Sequence, residues 1–189
     1  MLRKLVVGFI QANCYVLACD ETREGLVIDP GDEVSRIMKQ IEKDGLKIRT
    51  ILITHGHVDH IGGAQGLKEK TGAPVWIHEL DAKALPFEPD GLLEDGQELA
   101  IGKVKVSVIH TPGHSPGGVS FHAPGAVFTG DTLFEGSIGR TDLRGGSHKT
   151  LIQSVVKRIF PLGDELRVYP GHGPRSTIGE ERRHNPFFS

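Results

Sequence analysis

Four ligand-type side chains, His55, His57, Asp59 and His60, crowd into the segment Thr54-His55-Gly56-His57-Val58-Asp59-His60, directly behind the apolar run Ile48 to Ile53. The run is short, rich in β-branched residues and bounded by polar ones, which reads as a buried strand. Such a chain must end a rigid strand inside the molecule and wrap a loop around the point where imidazoles and a carboxylate converge. Neutral imidazole and carboxylate are the ligands that borderline divalent metals take.

The same placement recurs downstream. His114 follows the apolar run Val104 to Ile109 in Thr111-Pro112-Gly113-His114, and Asp131 follows Ala126 to Thr129 in Thr129-Gly130-Asp131. His172 follows Arg167 to Tyr169 in Pro170-Gly171-His172-Gly173. Small neighbours let the backbone come close and let a side chain turn inward. The candidate ligands are therefore His55, His57, Asp59, His60, His114, Asp131 and His172. They are too many for one tetrahedral ion and suit two ions, each with three terminal ligands, joined by a shared carboxylate. Spacing alone does not divide them between the ions.

The 189 residues allow one domain with a substantial core, and 38% hydrophobic against 24% charged residues is an ordinary soluble balance. A net charge of -2 gives no basic footprint for nucleic acid. The apolar start Met1-Leu2-Arg3-Lys4-Leu5-Val6-Val7 is too short for a signal core or a membrane span. Cys14 and Cys19, on opposite faces of one expected strand, are not expected to bond to each other, which fits a reducing cytoplasm. The 25 glycines and 11 prolines, often paired as in Pro30-Gly31 and Pro116-Gly117-Gly118, punctuate many short elements with tight turns.

Phe9-Ile10, Cys14 to Ala18 and Leu26 to Ile28 read as early strands. Val34, Ile37, Met38 and Ile41 form a helical stripe, with Asp32 as the expected N-cap and Gly45 as the stop. A second helix spans about Gly63 to Lys70, and Val75 to Ile77 is a short strand. Glu98 to Ile101 with Val104 to Ile109, and Val119 to His122 with Ala126 to Thr129, form hairpins around Gly102-Lys103 and Pro124-Gly125. Leu151, Val155 and Ile159 face one side of a late helix that Pro161 terminates, and Arg167 to Tyr169 is the last expected strand. This α/β order predicts two sheets with helices on their outer faces.

The run His-x-His-x-Asp-His, with His114, Asp131 and His172, resembles the metallo-β-lactamase superfamily, and the resemblance covers nearly the whole chain. It implies a four-layer αββα sandwich with two divalent metals at the sheet edges: zinc first, with iron or manganese accepted by the same ligands. It implies His55, His57 and His114 on one metal, Asp59, His60 and His172 on the other, and Asp131 between them, with Asp59 and Asp131 as the catalytic carboxylates. Lactamases of the family do not use a bridging Asp, and many have Cys at the position of Asp131. The segments Gln11-Ala12-Asn13-Cys14, Asp131-Thr132-Leu133-Phe134, Gly139-Arg140-Thr141-Asp142 and Glu181-Arg182-Arg183-His184-Asn185-Pro186-Phe187 are most similar to glyoxalase II-like thioester hydrolases of a short bacterial type. That type is one domain, here 1–189, without the C-terminal helical substrate-binding domain of fuller enzymes.

The activity so implied is hydrolysis of a small-molecule thioester, S-D-lactoylglutathione or a related acylglutathione, by hydroxide held on the metals. Arg140 would anchor a substrate carboxylate, and Asp142 stands where the family often has Tyr. The chain is expected to act as a monomer or weak homo-oligomer, away from membranes. A mononuclear iron persulfide dioxygenase using His55, His114 and Asp131, a phosphodiesterase or lactonase, and a metal-stabilised binding module are the competing readings. Structural metal sites are usually closed by four Cys or His ligands, unlike this set. Asp29 has two readings of equal standing, an acceptor that orients a ligand histidine or a turn-initiating Asp before Pro30. His78, His110, His122, His148 and His184 read as surface or structural, Cys14 as core and Trp76 as packing.

Overall fold

The structure, a computed structural model, describes residues 1–188. One six-stranded sheet runs in the order β1 (Leu2–Val7), β2 (Ala12–Ala18), β3 (Glu24–Ile28), β4 (Lys47–Leu52), β5 (Val75–His78), β6 (Gly91–Leu93). The other contains β7 (Glu98–Ile101), β8 (Val104–His110), β9 (Val119–Ala123), β10 (Ala126–Gly130), β13 (Arg167–Pro170) and β14 (Ser176–Thr177), in that spatial order. A small hairpin, β11 (Leu133–Phe134) and β12 (Ser137–Ile138), lies between β10 and β13 in sequence. Five α-helices accompany them: α1 (Val34–Lys43), α2 (Val58–Ile61), α3 (Ala64–Thr71), α4 (His148–Ser154) and α5 (Ile178–His184).

The four layers follow from alternation along strands that are buried on both faces. In β2, Val16 packs toward α1 and α3, while Tyr15 and Leu17 enter the space between the sheets. In β3, Val27 takes the helix side and Leu26 and Ile28 the sheet side; around β4, Ile51 and Ile53 divide from Leu52 in the same way. The second sheet mirrors this, with Val127 and Val168 packing against Leu151, Val155 and Ile159, and Phe128 and Tyr169 meeting the first sheet. A period of two in a strand sends neighbours to opposite faces, so these runs feed three apolar layers. Tyr15, Phe128 and Tyr169 fill the middle one edge to face or stacked, with ring centroids 5.1 to 5.7 Å apart.

Some local expectations change. Phe9 and Ile10 are not a strand: they form the exposed turn between β1 and β2, bounded by left-handed Gly8 and Gln11. The strand is instead Leu2–Val7, whose Leu5 and Val7 point inward. Asp32 does not cap α1. The capping position is Glu33, in left-handed backbone, and Asp32 Oδ1 accepts from the Glu33 N–H at 2.6 Å. Gly45 ends α1 as expected, in left-handed backbone at φ 61°. The late helix is not uniform: after α4 it widens into a π-helical stretch, Val155–Ile159, and closes in a 3₁₀ turn, Phe160–Leu162, that holds Pro161. Arg167–Pro170 is not the final element, since β14 and α5 follow. Cys14 and Cys19 are both free. Among the described residues no helix is long and apolar enough to cross a membrane.

Candidate metal centre

Every candidate ligand stands just beyond the end of a strand, and those ends meet at one edge of the sandwich. β4 ends at Leu52, and Thr54 to His60 follow, with α2 curling Asp59 and His60 back inward. His114 lies in the loop after β8, Asp131 immediately after β10 and His172 after β13. The sheets put apolar side chains into their layers and leave polar ones at strand ends, where the loops turn.

The seven residues converge. His55 Nε2 lies 3.1 Å from His57 Nδ1 and 3.2 Å from His114 Nε2, and His57 Nδ1 lies 2.8 Å from His114 Nε2. His172 Nε2 lies 3.3 Å from His60 Nε2 and 3.1 Å from Asp59 Oδ2. Asp131 stands between the two groups. Its Oδ2 is 3.4 Å from His114 Nε2 and 3.7 Å from His172 Nε2, and its Oδ1 is 3.4 Å from His60 Nε2. The ligand atoms of His55–His57–His114, of His55–His60–Asp131 and of Asp59–His60–His172 lie within 4.8 Å of one another in each set.

Hydrogen bonds fix the ring tautomers. The His114 Nδ1–H donates to the Arg140 carbonyl at 2.8 Å, which leaves Nε2 bare toward the centre. Thr54 Oγ1–H donates to Asp29 Oδ2 at 2.6 Å, so its oxygen must accept from the His55 Nδ1–H at 3.0 Å. His60 Nδ1–H donates to the same Asp29 Oδ2 at 2.9 Å, and the Thr54 N–H donates to Asp29 Oδ1 at 2.7 Å. Asp29 is 1% exposed and holds left-handed backbone at φ 50°, which Asp tolerates better than most residues. One carboxylate thus orients His60 directly and His55 through Thr54.

The electrostatics divide the rings. Burial and the surrounding histidines push His55 well down, and burial with His114 lowers His57. Burial also opposes charge on His60, but Asp29 and Asp131 outweigh it and raise the ring to about 9. The hydrogen bond to Asp59 raises His172. Burial would raise Asp59, but its bond to His172 and the nearby His60 prevail and hold it at about 2.

This donor set fits a divalent cation. Three ring nitrogens crowd within 2.8 to 3.2 Å of one another, two of them bare, and such lone pairs repel unless a proton or a cation lies among them. Nitrogens ~2.0–2.1 Å from a tetrahedral ion stand about 3.3–3.4 Å apart, close to these spacings. Asp131 Oδ1 is buried with no hydrogen-bond partner, the condition that an ion relieves. Gly171 makes the approach possible, because a Cβ there would stand 2.2 Å from Asp131 Oδ1 and 2.8 Å from His60 Cε1.

Side chains from distant segments brace the loops. Asn13 Nδ2 donates to the carbonyls of Pro170 at 2.9 Å and Gly173 at 3.0 Å, and Tyr15 O–H donates to Pro170 at 2.7 Å, fastening the His172 loop to β2. Glu181 of α5 accepts from the Gly136 N–H, and Asn185, just past the end of α5, donates to the Ser137 carbonyl, holding the β11–β12 hairpin that leads to Arg140. None of these roles is visible from sequence spacing, because each rests on a backbone group remote in the chain. Of the five histidines set aside, His78 and His110 stack on each other at 4.4 Å, and His148 opens α4 behind the Ser147 cap.

A cleft of about 610 Å³ opens over the cluster. Ile10, Val58, Phe134, Ile138 and Leu143 form its apolar walls, and Arg140 stands at its rim. The Arg140 guanidinium is exposed and paired in two bonds with Asp142, at 2.9 and 2.8 Å.

Residues 7–172 match the family model described as the metallo-beta-lactamase superfamily. The chain is 38% identical to the hydroxyacylglutathione hydrolase GloC of Haemophilus influenzae, across 97% of this chain and 95% of that protein. The crystal structure of BLEG-1, a B3 metallo-beta-lactamase, superposes with a TM-score of 0.93 at 37% identity, covering 100% of both chains. TTHA1623, solved in a di-iron-bound form, superposes with a TM-score of 0.87 at 39% identity, covering 98% of this chain and 99% of that one.

Proposed function

This chain belongs to the metallo-β-lactamase superfamily and is a metal-dependent hydrolase, and we propose that its substrates are acylglutathione thioesters, cleaved at a two-ion site. In this reading His55, His57 and His114 would hold one ion, Asp59, His60 and His172 the other, and Asp131 would be a ligand shared between them. The observation that carries it is Asp131, a half-buried carboxylate whose buried Oδ1 has no hydrogen-bond partner and which lies between the two ligand groups. Zinc is the proposed ion. Iron is the alternative that TTHA1623 supports, and manganese has compatible ligands.

Bound there, the ions supply a Lewis acid and water whose pKa falls from 15.7 toward ~7. The protein's own part is to fix geometry. Asp29, directly and through Thr54, and the Arg140 carbonyl take the Nδ1–H of His60, His55 and His114 and so aim each Nε2 at the centre. Asp59, held as a carboxylate by its bond to His172 and the nearby His60, and Asp131 stand in place for ligation and for orienting water. The apolar walls exclude bulk water from the acyl group and strengthen the interactions within the cleft. A thiol pKa of ~8.5 makes thiolate a competent leaving group without a strong acid beside it. The cleft accordingly needs no separate general acid.

Arg140 is the proposed anchor for a substrate carboxylate. Its pair with Asp142 is solvent-exposed, and such a pair is exchanged at little cost. The His114 bond to the Arg140 carbonyl ties this anchor to the ligand cluster. The proposed setting is the cytoplasm, supported by two buried free cysteines.

The test is a substrate panel on chain loaded with zinc or iron: acylglutathiones including S-D-lactoylglutathione, a β-lactam because of the likeness to BLEG-1, and glutathione persulfide with oxygen uptake followed. Thioester hydrolysis that a chelator abolishes and added metal restores is the expected result. Turnover of the β-lactam or the persulfide with none of any thioester contradicts the proposal.

A further inference from the structure

Asp81 is a buried carboxylate that belongs to neither ligand group. It lies in the 3₁₀ turn Glu79–Ala84 that follows β5, and it is 7% exposed. Both of its oxygens are committed. Oδ2 accepts from the Gly56 N–H at 2.9 Å, and Oδ1 accepts from the Gly117 N–H at 2.9 Å. Gly56 stands between His55 and His57, in the loop that leaves the first sheet. Gly117 is three residues past His114, in the loop between β8 and β9 of the second sheet. One side chain therefore ties together two loops from opposite sheets whose histidines face each other at 2.8 Å, His57 Nδ1 to His114 Nε2.

The fit admits only glycine at both anchor points. A Cβ on Gly117 would stand 2.7 Å from Asp81 Cγ, and one on Gly56 would stand 2.6 Å from Ala84 Cβ and 3.4 Å from Asp81 Cβ. Neither glycine has positive φ, so space against this turn, not backbone conformation, is what excludes a side chain. Hydrogen bonds to a carboxylate are the stronger kind, and buried N–H groups left without them are costly. A backbone bond from the Val119 N–H to the Thr54 carbonyl at 2.8 Å joins the same two loops where β9 begins. Asp81 adds a tie at the histidines themselves.

We propose that Asp81 is a positioning residue that sets the span between the His55–His57 loop and His114, and so governs the affinity of that group alone for its ion. Asp29 does the corresponding work for His60. The proposal rests on the two-ion reading given above. Loss of an outer partner of this kind typically weakens metal binding by about 10- to 100-fold.

The experiment is zinc titration of the metal-free chain by calorimetry, for wild type, Asp81→Asn, Asp81→Ala and Gly117→Ala. His57→Ala identifies which binding step belongs to the first group. Asp81→Asn keeps the side chain's size but turns an amide N–H₂ toward one of the two donors. It should weaken the step missing in His57→Ala by about 10- to 100-fold and leave the other step unchanged. Gly117→Ala, which presses a methyl on the same carboxylate from the other loop, should do the same and serves if Asp81→Ala does not fold. Two steps unchanged in every folded variant, or two steps weakened equally, overturn the assignment to Asp81. A wild-type chain that takes up no second zinc overturns the two-ion reading, and the proposal with it.

Discussion

Asp131→Ala should reduce acylglutathione hydrolysis by about 10³-fold, the scale on which removing one preorganised electrostatic partner acts. It should do so without unfolding the chain. Asp131 is the side chain that faces both groups, with Oδ2 3.4 Å from His114 Nε2 and Oδ1 3.4 Å from His60 Nε2. Without ions it is poorly satisfied, because one buried oxygen has no hydrogen-bond partner. Its removal should therefore cost the metal-free protein little. With ions bound the balance reverses, since a ligand that binds only the native state stabilises it by mass action, and the variant forfeits part of that. The checks are kcat/KM at saturating zinc and thermal melts with and without zinc. Hydrolysis within tenfold of wild type, or a metal-free melt far below wild type, contradicts this role.

Asp29→Ala should have the largest effect on stability, about 3–5 kcal/mol. Three donors lose their acceptor at once: the Thr54 N–H, the Thr54 hydroxyl and the His60 Nδ1–H. Alanine must also hold the left-handed backbone that Asp29 holds at φ 50°. A domain stable by roughly 5–15 kcal/mol would lose a large part of its margin. The metal-free melting temperature should fall by roughly 10 °C or more for a chain of this length. Asp29→Asn, which tolerates the backbone but accepts fewer bonds, should lie between the two. Chemical denaturation of the metal-free chains measures the difference. A change below about 1 kcal/mol shows that water replaces Asp29 without loss, which its burial argues against.

How much of this was legible in the sequence depends on the kind of residue. The inner strands announced themselves, because burial on both faces demands apolar residues at nearly every position, as in Ala12–Ala18 and Ala126–Gly130. β1 did not. It is an edge strand in which Arg3 and Lys4 stay in solvent, and the more apolar Phe9-Ile10 beside it draws the reading away. Both stand exposed in the turn between β1 and β2, where Ile10 lines the cleft. α5 was missed for a related reason, since a seven-residue helix with Ile178 and Glu181 inward offers no periodic stripe. The ligand set was visible because strand-end His and Asp beside glycine form a local pattern. Thr54, Asp81, Asn13 and Glu181 were not, because each acts on a backbone or ring group that folding alone brings near. Asp29 lay between, its sequence context fitting a turn as well as an acceptor; the structure gives it three hydrogen bonds.

The most direct measurement is a crystal structure of the zinc- or iron-loaded chain with anomalous difference maps recorded at the metal edge. Two peaks are expected, one among His55, His57 and His114 and one among Asp59, His60 and His172, with Asp131 between them. A single peak, or a peak with Asp131 turned away from it, contradicts the two-ion site.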